Sequence, residues 1–291
     1  MVLIVSCGRH KPWLQLLATK DINFPSASGI EFHQNSLYVF GDDAAYLLRL
    51  SPDYNVIDSF FFWPGSTGRL SKKEKHDIES AFLSESDNSS FLYGVSSMSD
   101  SLRKKVFVYN LQSRTMKDTS FFPNGVNPPS VQELNFEGSC KVGQTVILAN
   151  RANLSHPVNH LIFLDKNGGS RVSKILLPKE KMVSGISGLY YLEEKDFLLF
   201  TASEEETGSA VLDGAIGDSY IGWIENFKSR MNALEFTPDQ FIKLTEIDSV
   251  FRQQKIESIC VERVEGNRLI VHLAADNDDG TSRFFKLSLS L

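Results

Sequence analysis

The sequence predicts an all-β chain, a five-bladed β-propeller of four-stranded blades whose last blade is closed by an N-terminal strand. Three observations predict it. A small-apolar-acidic motif recurs along the chain; each recurrence opens the same order of strand, turn and strand; and the fifth unit ends one strand short while an unassigned strand remains at the other end. The 291 residues are read as a single domain.

The motif reads Gly29-Ile30-Glu31, Ile78-Glu79-Ser80, Phe136-Glu137-Gly138, Ile186-Ser187-Gly188 and Ile256-Glu257-Ser258. Its spacing of about 50 to 70 residues is that of propeller blades with loop insertions. After each motif strand comes a polar turn, such as His33-Gln34-Asn35 or Glu265-Gly266-Asn267. A second strand follows, among them Ser36 to Phe40, Phe91 to Val95 and Phe197 to Phe200. Third strands are expected at Tyr46–Leu50, Val106–Tyr109, Leu161–Leu164, Tyr220–Ile224 and Phe284–Leu287. Fourth strands are expected at Val56–Phe62, Met116–Phe122, Val172–Leu177 and Gln240–Glu246. All are rich in the β-branched, aromatic and aliphatic residues that strands favour, and Gly, Asn, Asp and Pro bound them. The fifth unit's missing strand is expected from Trp13 to Leu17, which closes the ring and removes two sheet edges. Residues after Tyr220–Ile224 carry helical spacing, so a short helix is allowed there.

In such a ring the innermost strands line the axis. Glu31, Glu79, Glu137 and Glu257 are therefore expected to converge there, with Ser187 at the fifth position. At ~6 Å and an effective dielectric near 20, each carboxylate pair repels by roughly 2–3 kcal/mol. The pairs together cost on the order of 10 kcal/mol, so protons or a cation must answer them. Oxygen-only donors without His or Cys favour a hard ion, and Ca2+ is the expected cofactor. A lone repeated glutamate has a plainer reading, a surface charge or a blade-to-blade hydrogen bond.

Second strands end on the same face, in Asp42-Asp43, Ser96-Ser97, Asn150-Arg151, Ser203-Glu204 and Asp276-Asn277, so a polar funnel is expected above the ion. Arg151 offers a fork for phosphate or carboxylate, or else neutralises Glu137. The loop Arg69 to His76 is a basic patch able to attract an anion, and His156 with His160 form a second candidate for acid–base work. Asp42, Asp276, His76, His160 and Arg151 are the candidate ligand-binding residues. The segment Glu204 to Asp218 is the longest loop on that face.

Composition limits the partners. The net charge of −6 and the scattered basic residues exclude a nucleic-acid surface, and no apolar run is long enough to span a bilayer. A small anionic ligand and a monomer are expected. Of three cysteines, Cys140 and Cys260 follow repeat glutamates and read as buried thiols. Ile4-Val5-Ser6-Cys7 matches the end of a lipoprotein signal, although only Met1-Val2-Leu3 precedes it. That leaves two locations open, periplasmic or cell-surface lipoprotein if the match is genuine and cytoplasmic otherwise.

Several stretches carry a resemblance: Ser26 to Glu31 through Phe40 to Asp43, Leu70 to Lys73 with His76 to Glu79, Phe136-Glu137-Gly138 with Ala149 to Asn153, and Phe200 to Glu204 with Asp213 to Ala215. Over nearly the whole chain they resemble an uncharacterised family of bacterial propellers grouped loosely with the esterase-like phytase domain. More distantly, the order Glu79, Glu137, Ser187, Glu257 is similar to the calcium-holding ring of calcium-activated apyrases, five-bladed nucleotidases. Glu31 departs from that ring, which implies serine at its place. Two functions remain in view: a calcium-binding propeller that binds a ligand or partner, and a calcium-dependent hydrolase of phosphoesters or similar anionic esters, in which the ion polarises a substrate oxygen.

Overall fold

A computed structural model describes residues 13–63, 68–86, 88–100, 103–119, 131–209, 214–277 and 280–291. The Cys7 segment, residues 120–122 of the expected fourth strand of blade two and Asp213 lie outside the described residues.

Five antiparallel blades form the ring. After β1 (Trp13–Ile22), blade one holds β2 (Ala27–His33), β3 (Ser36–Gly41), β4 (Tyr46–Leu50) and β5 (Val56–Phe61). Blade two holds β6 (Ile78–Ser86), β7 (Ser89–Ser96), β8 (Val106–Asn110) and β9 (Thr115–Thr119). Blade three holds β10 (Phe136–Val142), β11 (Thr145–Asn150), β12 (Asn159–Leu164) and β13 (Ser170–Ile175). Blade four holds β14 (Ser184–Leu192), β15 (Phe197–Glu205) and β16 (Ile216–Glu225), then helix α1 (Phe227–Arg230), the short β17 (Glu235–Phe236) and its fourth strand β18 (Gln240–Lys243). Blade five holds β19 (Lys255–Glu265), β20 (Arg268–Asp276) and β21 (Ser282–Ser290), and β1 pairs antiparallel with β21 as its outermost strand. The expected closure is therefore present, and longer than Trp13 to Leu17. One element was not foreseen: β17 lies parallel to β13, adding a fifth strand to blade three through only two residue pairs.

Burial follows the radius. The six residues of β3 are all buried, whereas β5 is largely exposed. The apolar core divides into five clusters, one at each seam between neighbouring blades. Leu198 and Phe200 of blade four, for example, pack with Ile147 and Leu161 of blade three, while Phe284 of blade five packs with Leu37 and Val39 of blade one. Cys140 and Cys260 are both buried thiols at these seams. Packing between blades, rather than one central core, holds the ring together.

Each innermost strand carries a β-bulge at the same place. The register skips Ser28 in β2, Glu79 in β6, Glu137 in β10, Ser187 in β14 and Glu257 in β19. A bulge leaves one residue unpaired and re-aims its side chain, which is how three glutamates come to face the axis. The next residue in each strand is Gly or Ser, because neighbouring inner strands nearly touch there. A Cβ on Gly29 would stand 2.9 Å from the backbone of Ser80 and Ala81, and one on Gly188 would stand 2.8 Å from the Cα of Ser258 and 2.7 Å from Thr201 Oγ1. Gly188→Ala is accordingly expected to destabilise the protein by about 1–3 kcal/mol, as overpacking does; denaturant titration measures it, and an unchanged midpoint contradicts the close approach.

Candidate functional site

The bulge register corrects the expected ring. Its member in blade one is Ser28, not Glu31, since the repeat unit there is Ala27-Ser28-Gly29. Glu31 lies three residues further along β2, opposite Tyr38, which is about 10 Å down the axis. Its carboxyl lines a cavity at the other end of the ring. Ser187 does hold a ring position, but its hydroxyl turns sideways and donates to the Ile256 carbonyl at 2.5 Å, with Thr201 Oγ1 3.2 Å away. Ser28 likewise donates to the Ile78 carbonyl. Both serines thus tie one inner strand to the next, which leaves Glu79, Glu137 and Glu257 as the acidic members.

These three line a funnel with Asp42, Asp77, Glu205 and Asp276 on one side of the charge balance and Lys72, Lys75, Arg103, Arg151 and Lys255 on the other; its cavity volume is about 130 Å³. A water's share of liquid volume is about 30 Å³, so the space is that of about four waters. Of the second-strand ends expected at the mouth, Asp42, Arg151 and Asp276 line it, whereas Ser96-Ser97 and Ser203-Glu204 do not. The amide of Asp42 donates to Ser26 and that of Arg151 to Asn135, while Asp276 pairs with Lys255 in register.

The funnel divides into two charged groups. Arg151, buried, reaches Glu205 at 3.0 Å, Glu137 at 3.3 Å and Glu257 at 3.9 Å. Lys255 adds contacts at 3.0 Å to Glu257 and 3.4 Å to Glu205, and Asn135 Nδ2 donates to Glu137 at 2.8 Å. Glu257 Oε2 is buried and accepts no hydrogen bond. Burial pushes Glu257 up to about 8, with Lys255 pulling it back and Glu137 pushing it further. Burial alone would lower Arg151, but Glu137, Glu257 and Glu205 outweigh it and raise it.

The second group is Asp42, Asp77 and Glu79, each offering a carboxylate oxygen within 4.8 Å of the others. Lys75 Nζ lies 2.6 and 2.7 Å from the two oxygens of Asp42 and 2.9 Å from Asp77; Arg103 lies 3.0 Å from Asp77, and Ser97 donates to it at 2.6 Å. Asp77 adopts φ of +57°, in the left-handed region that Asp tolerates better than most residues. Burial lifts Asp42 to about 7 against the pull of Lys75. Glu79 is pushed well above the carboxylate range, first by burial and then by Asp77 and Asp42. Much of the repulsion anticipated at the axis is thus met by lysine and arginine. What remains of it adds to burial, the larger cause, in raising Asp42, Glu79 and Glu257.

Two candidate histidines lie elsewhere. His76 sits against the rings of Trp63 and Phe107, at 4.6 and 5.2 Å between centroids, because its neighbour Lys75 takes the inward place. His160 stands on β12, the third strand out, in register between Asn150 and Lys174, too far from the axis to line the funnel. Sequence reading missed Asp77, Arg103, Glu205 and Lys255 as site residues, and it gave Lys75 only as a member of the basic loop Arg69 to His76. For two of them, Asp77 and Lys255, a signal exists: the position two before the bulge reads Ser26, Asp77, Asn135 and Lys255 in four of the five blades, polar and lining the mouth, and Gly185 in blade four.

No curated protein matches the chain in sequence. Among solved structures it is similar to glutaminyl cyclase of Myxococcus xanthus, at 11% identity and a TM-score of 0.53, covering 95% of this chain and 96% of that one. It is also similar to the native arabinanase Arb43A of Bacillus subtilis, at 14% identity and a TM-score of 0.50, covering 92% and 95%. These likenesses are of fold. Residues 23–289, which take in all five bulges and every side chain of the funnel, match the family of unknown function DUF6929, and the chain belongs to that family.

Proposed function

We propose that the protein is a ligand-binding propeller that holds a hard divalent cation, calcium, through Asp42, Asp77 and Glu79 at the mouth of the axial funnel. One observation carries this reading: carboxylates from two blades present oxygens within 4.8 Å of one another. Calcium takes oxygen ligands at about 2.3–2.6 Å, so three such oxygens fit around one ion. The donor set is all oxygen, as a hard ion requires. Lys75, now against Asp42 and Asp77, would have to swing aside, so ion and ammonium compete for one place. The ion would join blades one and two, and supply a Lewis-acidic centre for a ligand oxygen. Arg103, Arg151 and Lys255 already hold carboxylates, which favours a hydroxyl- or amine-bearing ligand over an anionic ester.

The test is calorimetry and thermal melting of chelator-treated protein with calcium at pH 8. With a Kd of about 10 µM, 1 mM calcium adds about 2.7 kcal/mol of stability, and Glu79→Gln is expected to weaken binding at least tenfold. Binding should also weaken from pH 8 to pH 6, as Asp42, near 7, takes up a proton. Wild-type protein that neither binds calcium nor melts higher at pH 8 would falsify the reading.

A second reading is a metal-dependent hydrolase. It draws on the raised pKa of Glu257, about 8, since a carboxyl kept protonated near neutral pH can act as a general acid. Turnover of an ester and phosphoester panel that needs calcium and is lost in Glu257→Gln is the outcome it requires.

A further inference from the structure

The end of the ring opposite the funnel carries a second cavity, of about 470 Å³, within the range of small-molecule sites. Its formation follows from the bulges. Three residues past each bulge the inner strands again face the axis, and there they place Glu31, Phe82, Cys140, Tyr190 and Cys260. Between this layer and the funnel neighbouring inner strands come to near contact at Gly29, Gly138 and Gly188. Phe82 and Tyr190, with Tyr191, give it aromatic walls; Glu31 is 5% exposed and lines it. At the exposed rim stand Glu85, Glu193 and Glu194, and Lys141 is the one basic residue among the described lining. Its ammonium donates to Ser84 at 2.6 Å.

We propose that this cavity binds a small organic ammonium ion with an apolar body, its charge against Glu31 and its body against Phe82 and Tyr190. Aromatic walls attract cations through their ring faces, and a buried carboxylate anchors the charge. The four-to-one excess of carboxylates over cations excludes an anionic occupant on electrostatic grounds, and the rim glutamates steer a cation inward. Among the described residues the cavity shares none with the funnel, so it stands or falls apart from the calcium reading.

Ionisation of Glu31 gives the site a pH signature. Burial lifts its carboxyl to about 8, against the backbone amides of Leu83 and Phe32. The titratable groups beside it, Cys140 of β10, Tyr190 of β14 and Cys260 of β19, are all raised by burial and stay neutral, while Lys141 and Glu85 lie outward of it. An arriving ammonium therefore meets an ionised Glu31 above pH 8 and must displace a proton below it.

The experiment is calorimetry of the full chain with phenethylamine and its neutral counterpart 2-phenylethanol at pH 6.5 and 8.5. An alkylammonium stays charged at both, its ordinary pKa being near that of lysine, about 10. The amine should bind at least tenfold more tightly at pH 8.5 than at 6.5 and at least tenfold more tightly than the alcohol, and Glu31→Gln should abolish both differences. Glu85→Gln, on the exposed rim, should weaken binding two- to threefold at low salt. Amine and alcohol binding alike, or amine binding unaffected by Glu31→Gln, overturns the proposal, as does no binding of the amine at either pH. If Glu31→Gln does not fold, Tyr190→Leu takes its place, with at least a fivefold loss expected and an unchanged affinity overturning the proposal.

Discussion

Arg151→Met is expected to lower the unfolding free energy at pH 8 by about 3–5 kcal/mol, the usual cost of removing one partner from a buried ion pair. The guanidinium stands among Glu205, Glu137 and Glu257, and methionine fills its stem but brings no donors. Lys255 alone then faces Glu257 and Glu205, with Glu137 left to Asn135. Glu257, already raised by burial, rises further in pKa. A carboxyl raised in the folded state favours folding below its unfolded pKa, and that contribution is lost as pH climbs through the folded one. The deficit of Arg151→Met should therefore be small near pH 5 and grow up to pH 9. Adding Glu137→Gln should restore part of the loss. Denaturant melts across that pH range supply the measurement, and a deficit independent of pH would mean that Arg151 acts by packing alone.

The second large effect concerns the seam that closes the ring. His272 on β20 is fully buried: Tyr54 lies 2.7 Å from its Nδ1, Glu262 lies 2.8 Å from its Nε2, and Lys286 on β21 reaches the same carboxylate oxygen at 2.8 Å. Tyr54 comes from the turn after β4, so the chain of bonds joins blade one to blade five, and Phe32 stacks on the imidazole from the other side. With Nε2–H donating to Glu262, Nδ1 is left to accept from the tyrosine hydroxyl, and the ring is neutral. Burial alone would raise Glu262; the hydrogen bonds from His272 and Lys286 overcome it and bring it to about 2. Burial lowers His272. Both shifts act in the same direction. Glu262 contributes stability above its unfolded value of 4.5 that disappears as pH falls toward 2, and the neutral His272 begins to lose ground once pH drops below 6.5, where the unfolded chain takes up a proton. Allowing for solvent screening, the Glu262 contribution is about 1–2 kcal/mol. Glu262→Leu strands Lys286 and one imidazole nitrogen as well, so its total cost at pH 7 is about 2–4 kcal/mol. The variant should also lose much of the acid sensitivity between pH 5 and 3, which thermal melts against pH can follow. A parallel decline of variant and wild type over that interval would remove Glu262 as its source.

Particular residues show how far the site was legible. Glu79, Glu137 and Glu257 could be placed at the axis because each sits between a buried aliphatic or aromatic residue and a Gly or Ser, a pattern that the bulge and the close approach of strands impose. Glu31 imitated that pattern with Gly29 and Ile30. The true motif, Ala27-Ser28-Gly29, offers a weaker apolar residue and no charge, so the imitation won. His76 and Lys75 illustrate a second limit: in an irregular loop no periodicity tells which of two neighbours turns inward.

From the amino-acid sequence alone came the five blades, their strand order and the closing N-terminal strand, because alternating apolar patterns and turn residues are local properties that repeat with the blade. The tertiary structure decided the phase of blade one, the sideways turn of Ser28 and Ser187, and the partnering of the axial carboxylates with Lys75, Arg151 and Lys255. A bulge moves a side chain by one register step without disturbing the apolar pattern around it, and long cationic side chains reach across blades whose separation along the chain says nothing of their distance in space.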